Sequence, residues 1–135
     1  MSSISTTRIM IVEDEGIIAN YLSSLLTKAG YVVSGIAASG EELLAAMHEL
    51  SPDLILPDLI LMDIHIDGPM DGIQTAARLR ENFAVPVVFL SAHSDNGTKA
   101  RAKEIGASDF LKKPVNQGNL LNAIDMSLRK RKECR

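Results

Sequence analysis

Apolar and polar positions alternate along this chain in two rhythms. Short, nearly unbroken apolar runs occur at Ile9-Met10-Ile11-Val12, Leu59-Ile60-Leu61-Met62 and Val87-Val88-Phe89-Leu90. Runs of that length predict strands buried on both faces, over Arg8 to Val12, Leu59 to Asp63 and Pro86 to Ser91. A β-branched stretch, Tyr31 to Ala37, and a short one, Asp109 to Lys112, predict two more. Between the strands the period lengthens to that of a helix. From Gly16 onward Ile17, Ile18, Tyr21, Leu22, Leu25 and Leu26 form a stripe, and Gly30 stands where helices end. Ser39 caps a second helix whose first turn carries Glu41 and Glu42, where the dipole favours acids. Its inward face is Leu43, Leu44, Met47 and Leu50, and Ser51-Pro52 stops it. A third helix is predicted over Asp71 to Asn82, burying Ile73, Ala76, Ala77 and Leu79. The fourth runs from Ser94 or Asp95 to Ile105, and the last from Asn116 to Lys130, packing through Leu120, Leu121, Ile124 and Leu128. The fourth has little to bury in Lys99-Ala100-Arg101-Ala102-Lys103-Glu104, so it is expected to be loosely held. Strands alternating with helices through short connections predict an α/β fold, a five-stranded parallel sheet with helices on both faces.

One local repeat bears on where the third strand begins. Pro52-Asp53-Leu54-Ile55-Leu56 is followed at once by Pro57-Asp58-Leu59-Ile60-Leu61. The repeat length is odd, so exchanging the copies would turn every side chain to the opposite face. The second copy runs directly into Met62-Asp63 and is taken as the strand. The first is then an apolar insert in the preceding loop, a packed loop rather than a self-association site.

Composition sets the class. With 135 residues the chain is one domain, taken as 8–130 between a disordered N-terminal tail, 1–7, and a C-terminal tail or linker start, 131–135. A net charge of -3 argues against a direct nucleic-acid partner, whose footprint would be basic. The basic run Arg129-Lys130-Arg131-Lys132 is read as complementing a helix C-terminus. Cys134 is the single cysteine, so neither an intrachain disulfide nor a thiolate metal cluster can form. The polar start MSSISTTR is no signal peptide, and no apolar run is long enough to span a bilayer. A cytoplasmic protein without a membrane partner is the expectation.

Chemistry in such a sheet collects at the carboxyl ends of its strands. Those ends deliver Glu13 and Asp14, Asp63, Ser91 and Lys113. Asp63 alone could be a turn former; its company changes the reading. Three neighbouring carboxylates repel one another unless a counter-ion is present, and Mg²⁺, a hard cation taking oxygen ligands, answers that need. Lys113 can hold a carboxylate or a phosphoryl oxygen, and Ser91 supplies a hydroxyl. These are the parts that steady a transferring phosphoryl group, with a carboxylate oxygen as nucleophile and an acyl phosphate as product. A nucleotide- or flavin-binding enzyme fits poorly, because Glu13-Asp14-Glu15 would repel a phosphate at the first helix. No pair among His48, His65 and His93 has metal-ligand spacing, though His93 stands close enough to Ser91 in sequence to shape access.

Glu13-Asp14, Met62-Asp63, Asp71-Gly72, Ser91-Ala92 and Lys113-Pro114, in that order, resemble the receiver domain of two-component response regulators, over about Arg8 to Arg129. The resemblance implies a flavodoxin-like (βα)5 sheet of strand order 2-1-3-4-5. It implies that Asp63 is the phosphoacceptor, Asp14 a direct Mg²⁺ ligand, Glu13 a ligand through water, and the His65 backbone carbonyl a further ligand. Ser91 and Lys113 would contact the phosphoryl group, and the Lys113–Pro114 peptide would be cis. Phe110 matches the aromatic switch that turns inward as Ser91 moves. The implied function is a phosphorylation-dependent switch rather than a free-standing enzyme. Its partners would be a histidine kinase or phosphotransfer protein, and a second copy through the last helix–strand–helix face. Alternatives are the receiver module of a hybrid histidine kinase and a pseudo-receiver serving as a constitutive interaction module. Three features depart from the pattern. The loop Ile66-Asp67-Gly68-Pro69-Met70 is one residue longer than the common form, Phe110 has no hydroxyl, and the Pro52–Leu56 copy is additional.

Overall fold

The computed structural model describes residues 7–49, 56–66, 68–92 and 96–133. Its elements are β1 (Arg8–Val12), α1 (Gly16–Lys28), β2 (Val32–Ala37), α2 (Gly40–Glu49) and β3 (Leu59–Asp63). They continue as α3 (Gly72–Leu79), β4 (Val87–Ser91), α4 (Asn96–Glu104), β5 (Asp109–Lys112) and α5 (Gln117–Glu133). The strands form one sheet of order β2-β1-β3-β4-β5, and each neighbouring pair is parallel.

The period of two along a strand divides the apolar runs between two cores. Met10, Val12, Ile60, Met62, Val87 and Phe89 face α2 and α3 on one side. Ile9, Ile11, Leu59, Leu61, Val88 and Leu90 face α1 and α5 on the other. Covering both faces explains why β3 and β4 are buried along their whole length. The second copy of the repeat is the strand: Leu59 to Met62 pairs with Ile9 to Val12. Asp58 fixes its entry, with its N–H on the Arg8 carbonyl at 2.7 Å and its carboxylate accepting the Arg8 N–H at 2.8 Å. The first copy lies outside the described residues except Leu56, which is exposed.

Several helix details differ from the sequence pattern. In α1 the buried residues are Ala19, Leu22 and Leu26, while Ile17 is 86% and Tyr21 49% exposed. The helix thus carries two apolar stripes, and only one faces the sheet. In α3 Thr75 is buried and Ala77 is exposed. Thr75 can enter the core because its hydroxyl donates to the Asp71 carbonyl at 2.8 Å, leaving no bare polar group. That helix ends at Leu79, short of Asn82, and α5 continues past Lys130 to Glu133. β2 and β4 begin one residue later than expected, at Val32 and Val87. The expected start of the fourth helix, Ser94 or Asp95, lies outside the described residues, as do Leu50 and the tail 1–6.

Close approach of α2 to α3 depends on Gly40. A Cβ there would overlap the hydroxyl of Thr75, which is fully buried. Gly40→Ala is expected to cost about 1–3 kcal/mol, the range for overpacking a core. Adding Thr75→Ala should cost less in that background than in the wild type, a non-additivity that urea unfolding of the double-mutant cycle reads directly.

Candidate functional site

Backbone pairing carries slightly past the ends of three strands and fixes where the side chains that follow them emerge. Beyond β1, the Glu13 N–H donates to the Ala37 carbonyl at 2.9 Å. Beyond β3, the Ile64 N–H donates to the Leu90 carbonyl at 2.9 Å, and beyond β5 the Lys113 N–H donates to the Ser91 carbonyl at 2.8 Å. Val12 pairs with Met62, so Glu13 and Asp63 leave adjacent strands side by side.

The result is one cluster at the carboxyl edge of the sheet. Glu13, Asp14 and Asp63 each present a carboxylate oxygen, and these oxygens lie within 4.8 Å of one another. Lys113 reaches between two of them, with Nζ 2.8 Å from Glu13 Oε1 and 2.7 Å from Asp63 Oδ2. The side chains of Glu13 and Asp63 are 0% and 5% exposed, against 16% for Lys113. Their other oxygens accept backbone N–H groups: Glu13 Oε2 from Glu15 at 3.1 Å, and Asp63 Oδ1 from His65 at 3.2 Å. Lys113 thus sets a positive charge against two of the three acids, the carboxylate-holding role expected of it.

Burial decides the protonation of Glu13. It lifts the Glu13 carboxyl from its ordinary 4.5 to about 7, against the lowering pull of the Lys113 and Glu15 hydrogen bonds. For Lys113 burial pulls downward, but the contacts with Asp63 and Glu13 outweigh it and leave the ammonium above its ordinary value. A carboxyl raised on folding binds its proton more tightly in the native state. Its contribution to stability is therefore full below 4.5 and is lost as the pH rises through about 7. Without metal, urea midpoints are expected to fall across that window, and Glu13→Gln should flatten the fall.

Ser91 ends β4 with its side chain buried, in register with Lys112 and next to the strand residue that pairs with Asp63. Phe110 is half-buried against the core on the α2–α3 side, and with Lys99, Ala102, Lys103 and Ala107 it lines a cleft of about 350 Å³. The Lys113–Pro114 peptide is cis. His65 is exposed, and His48 meets Phe83 edge-on at 5.5 Å, a packing role. His93 lies outside the described residues.

Two features next to the cluster are not evident from strand ends alone. Asp71 caps α3 with a full capping box, its carboxylate accepting the Gln74 N–H at 2.8 Å and its own N–H donating to Gln74 Oε1 at 2.9 Å. The following N–H, of Gly72, donates to the Ile64 carbonyl at 2.7 Å, and a Cβ on Gly72 would overlap the Asp63 carbonyl and crowd Ile64 Cα. Asp71-Gly72 thus holds α3 against the backbone that carries Asp63. The second feature is an apolar cleft of about 420 Å³ lined by Ile18, Tyr21, Leu22, Pro114 and Val115, with Lys113 at its wall.

Comparison with known proteins identifies the family. The sequence profile of the response regulator receiver domain matches residues 9–125. The transcriptional regulatory protein PdtaR of Mycobacterium tuberculosis is 33% identical over 128 residues, covering 93% of this chain and 58% of that protein. A protein-glutamate methylesterase/protein-glutamine glutaminase of Trichodesmium erythraeum is 34% identical over 122 residues, 87% of this chain and 33% of that protein. The crystal structure of the signal receiver domain of a modulated diguanylate cyclase from Desulfovibrio desulfuricans superposes with a TM-score of 0.85 at 34% identity, covering 97% of this chain and 100% of that one. The chain thus spans about half or less of the length of these curated relatives.

Proposed function

The chain belongs to the response regulator receiver domains of two-component signalling, and from that premise we propose that Asp63 accepts a phosphoryl group from the phosphohistidine of a histidine kinase or phosphotransfer protein. The observation that carries this reading is the buried contact of Lys113 with both Glu13 and Asp63, with Asp14 alongside. In the step, a carboxylate oxygen of Asp63 bonds to phosphorus as the P–N bond breaks, and the bonding pair leaves with the imidazole nitrogen. Lys113 exchanges its carboxylate partners for a phosphoryl oxygen, and the Ser91 hydroxyl donates to another.

The donor set fits Mg²⁺, since the gathered carboxylates of Glu13, Asp14 and Asp63 offer oxygen alone; Asp14 and Asp63 would hold the ion directly, with Glu13 through water and the His65 carbonyl as further ligands. Bound there, the ion supplies positive charge to the phosphoryl oxygens. Of the two exposed apolar residues on α1, Tyr21 borders the cleft beside Lys113 and Ile17 lies one turn before it, which suits a docking patch for the phosphodonor. That role places the protein in the cytoplasm with its kinase; among the described residues no helix is long and apolar enough to cross a membrane.

The switching element is α4 together with β5 and Phe110. Among its nine residues Ala102 is the one buried, so modest forces at the site can reposition the helix. The α4–β5–α5 face is then the output surface, towards a second copy or a downstream target. A receiver module within a longer regulator or a hybrid histidine kinase is the second reading, favoured by the share of each relative's length that the chain spans.

Fluoroberyllate, a mimic of the acyl-bound phosphoryl group, tests the reading. With Mg²⁺ it is expected to bind one-to-one and shift amide resonances at Asp63, Ser91 and Lys113. Equal binding by an Asp63→Ala variant would count against Asp63 as the acceptor.

A further inference from the structure

The helix α4 buries one side chain, that of Ala102. Beyond Ala102, one of its polar contacts is that of Arg101, whose Nη2 lies 3.0 Å from Asp71 Oδ2. Just after the helix, the Gly106 carbonyl accepts from Arg80 Nη2 at 2.8 Å. Asp71 is an unusually well-fixed partner for a surface arginine. Its Oδ1 caps α3, its N–H is bound by Gln74, its carbonyl takes the Thr75 hydroxyl, and Gly72 beside it is pressed against the Asp63 backbone. One oxygen of Asp71 therefore holds the site loop to α3, and the other reaches α4.

We propose that the Asp71–Arg101 ion pair is a latch that holds α4 in the arrangement seen here and opposes the switch driven from Asp63. The proposal rests on the reading of Asp63 as phosphoacceptor. Exposed ion pairs usually contribute little, but this one holds a helix with a single buried side chain, so a small contribution is a large share of what fixes it. A contact made in one of two arrangements weakens any ligand that selects the other. Removing the contact tightens that ligand by the same factor.

The test compares wild type, Arg101→Gln, Asp71→Asn and the double variant. Asparagine retains the N-cap of α3, so Asp71→Asn removes the charge and keeps the helix start. Fluoroberyllate affinity with Mg²⁺ is expected to rise about two- to fivefold in each single variant, the range an exposed pair supports. The double variant should gain no more than either single one, because both delete the same contact. Hydrogen exchange should quicken in α4 amides and remain unchanged in α3. Wild-type binding with unchanged or weaker affinity in the single variants, additive gains, or unchanged α4 protection overturns the latch alone. A wild type that binds no fluoroberyllate overturns the phosphoacceptor reading and the switching role together, while the exchange rates still report whether the pair holds α4.

Discussion

Asp63→Asn is expected to lower phosphoryl uptake from acetyl phosphate by at least about a thousandfold, to the level of ordinary surface carboxylates. An amide oxygen is a poor nucleophile, and asparagine otherwise preserves shape. It can still accept the His65 N–H that Asp63 Oδ1 accepts at 3.2 Å. Lys113 retains Glu13 at 2.8 Å, so the fold should survive the change. Intact-protein mass measurement after incubation with donor and Mg²⁺ reads the outcome. Undiminished labelling of a folded Asp63→Asn variant would move the nucleophile to another residue.

Lys113→Ala should have the largest effect on stability. It leaves Glu13 and Asp63, 0% and 5% exposed at the side chain, without their shared cation. Removing one partner from a buried charge contact costs about 3–5 kcal/mol. Metal-free protein near pH 8 should approach that loss. Near pH 5 the loss should shrink, because Glu13, already raised to about 7, takes a proton and relieves the repulsion. Mg²⁺ should recover part of the stability by supplying the missing charge, and Lys113→Arg should lose less than Lys113→Ala. Urea unfolding at the two pH values, with and without Mg²⁺, decides the matter; an unchanged midpoint at the higher pH would show that Lys113 is not the counter-ion.

Much of this molecule is legible in its sequence because burial on both faces leaves a plain mark. Ile9 to Val12, Leu59 to Met62 and Val87 to Leu90 are continuous apolar runs, and runs of that kind have few other places to go. Once they are strands of one parallel sheet, Glu13, Asp63, Ser91 and Lys113 must stand at a common edge. Less legible is what depends on which side a helix turns. Ile17 and Tyr21 keep helical spacing with Ile18 and Leu22, and periodicity alone cannot separate a core stripe from a surface one. Ala77 and Thr75 were exchanged for a related reason: a small apolar residue gains little from burial, while a threonine whose hydroxyl finds a backbone carbonyl loses little. The three-way contact of Lys113, Glu13 and Asp63 joins residues far apart in the chain, and only the strand register brings them together. The pairing of Arg101 with Asp71 escapes notice for the same reason, since nothing near either residue in the chain points to the other.

The cation and the acceptor are tested together by phosphoryl incorporation from acetyl phosphate, with the modified residue located by peptide mapping, in Mg²⁺ and in EDTA. Incorporation at Asp63 that grows with Mg²⁺ and vanishes in EDTA is the predicted result. Equal incorporation without metal, or incorporation at any residue other than Asp63, would contradict it.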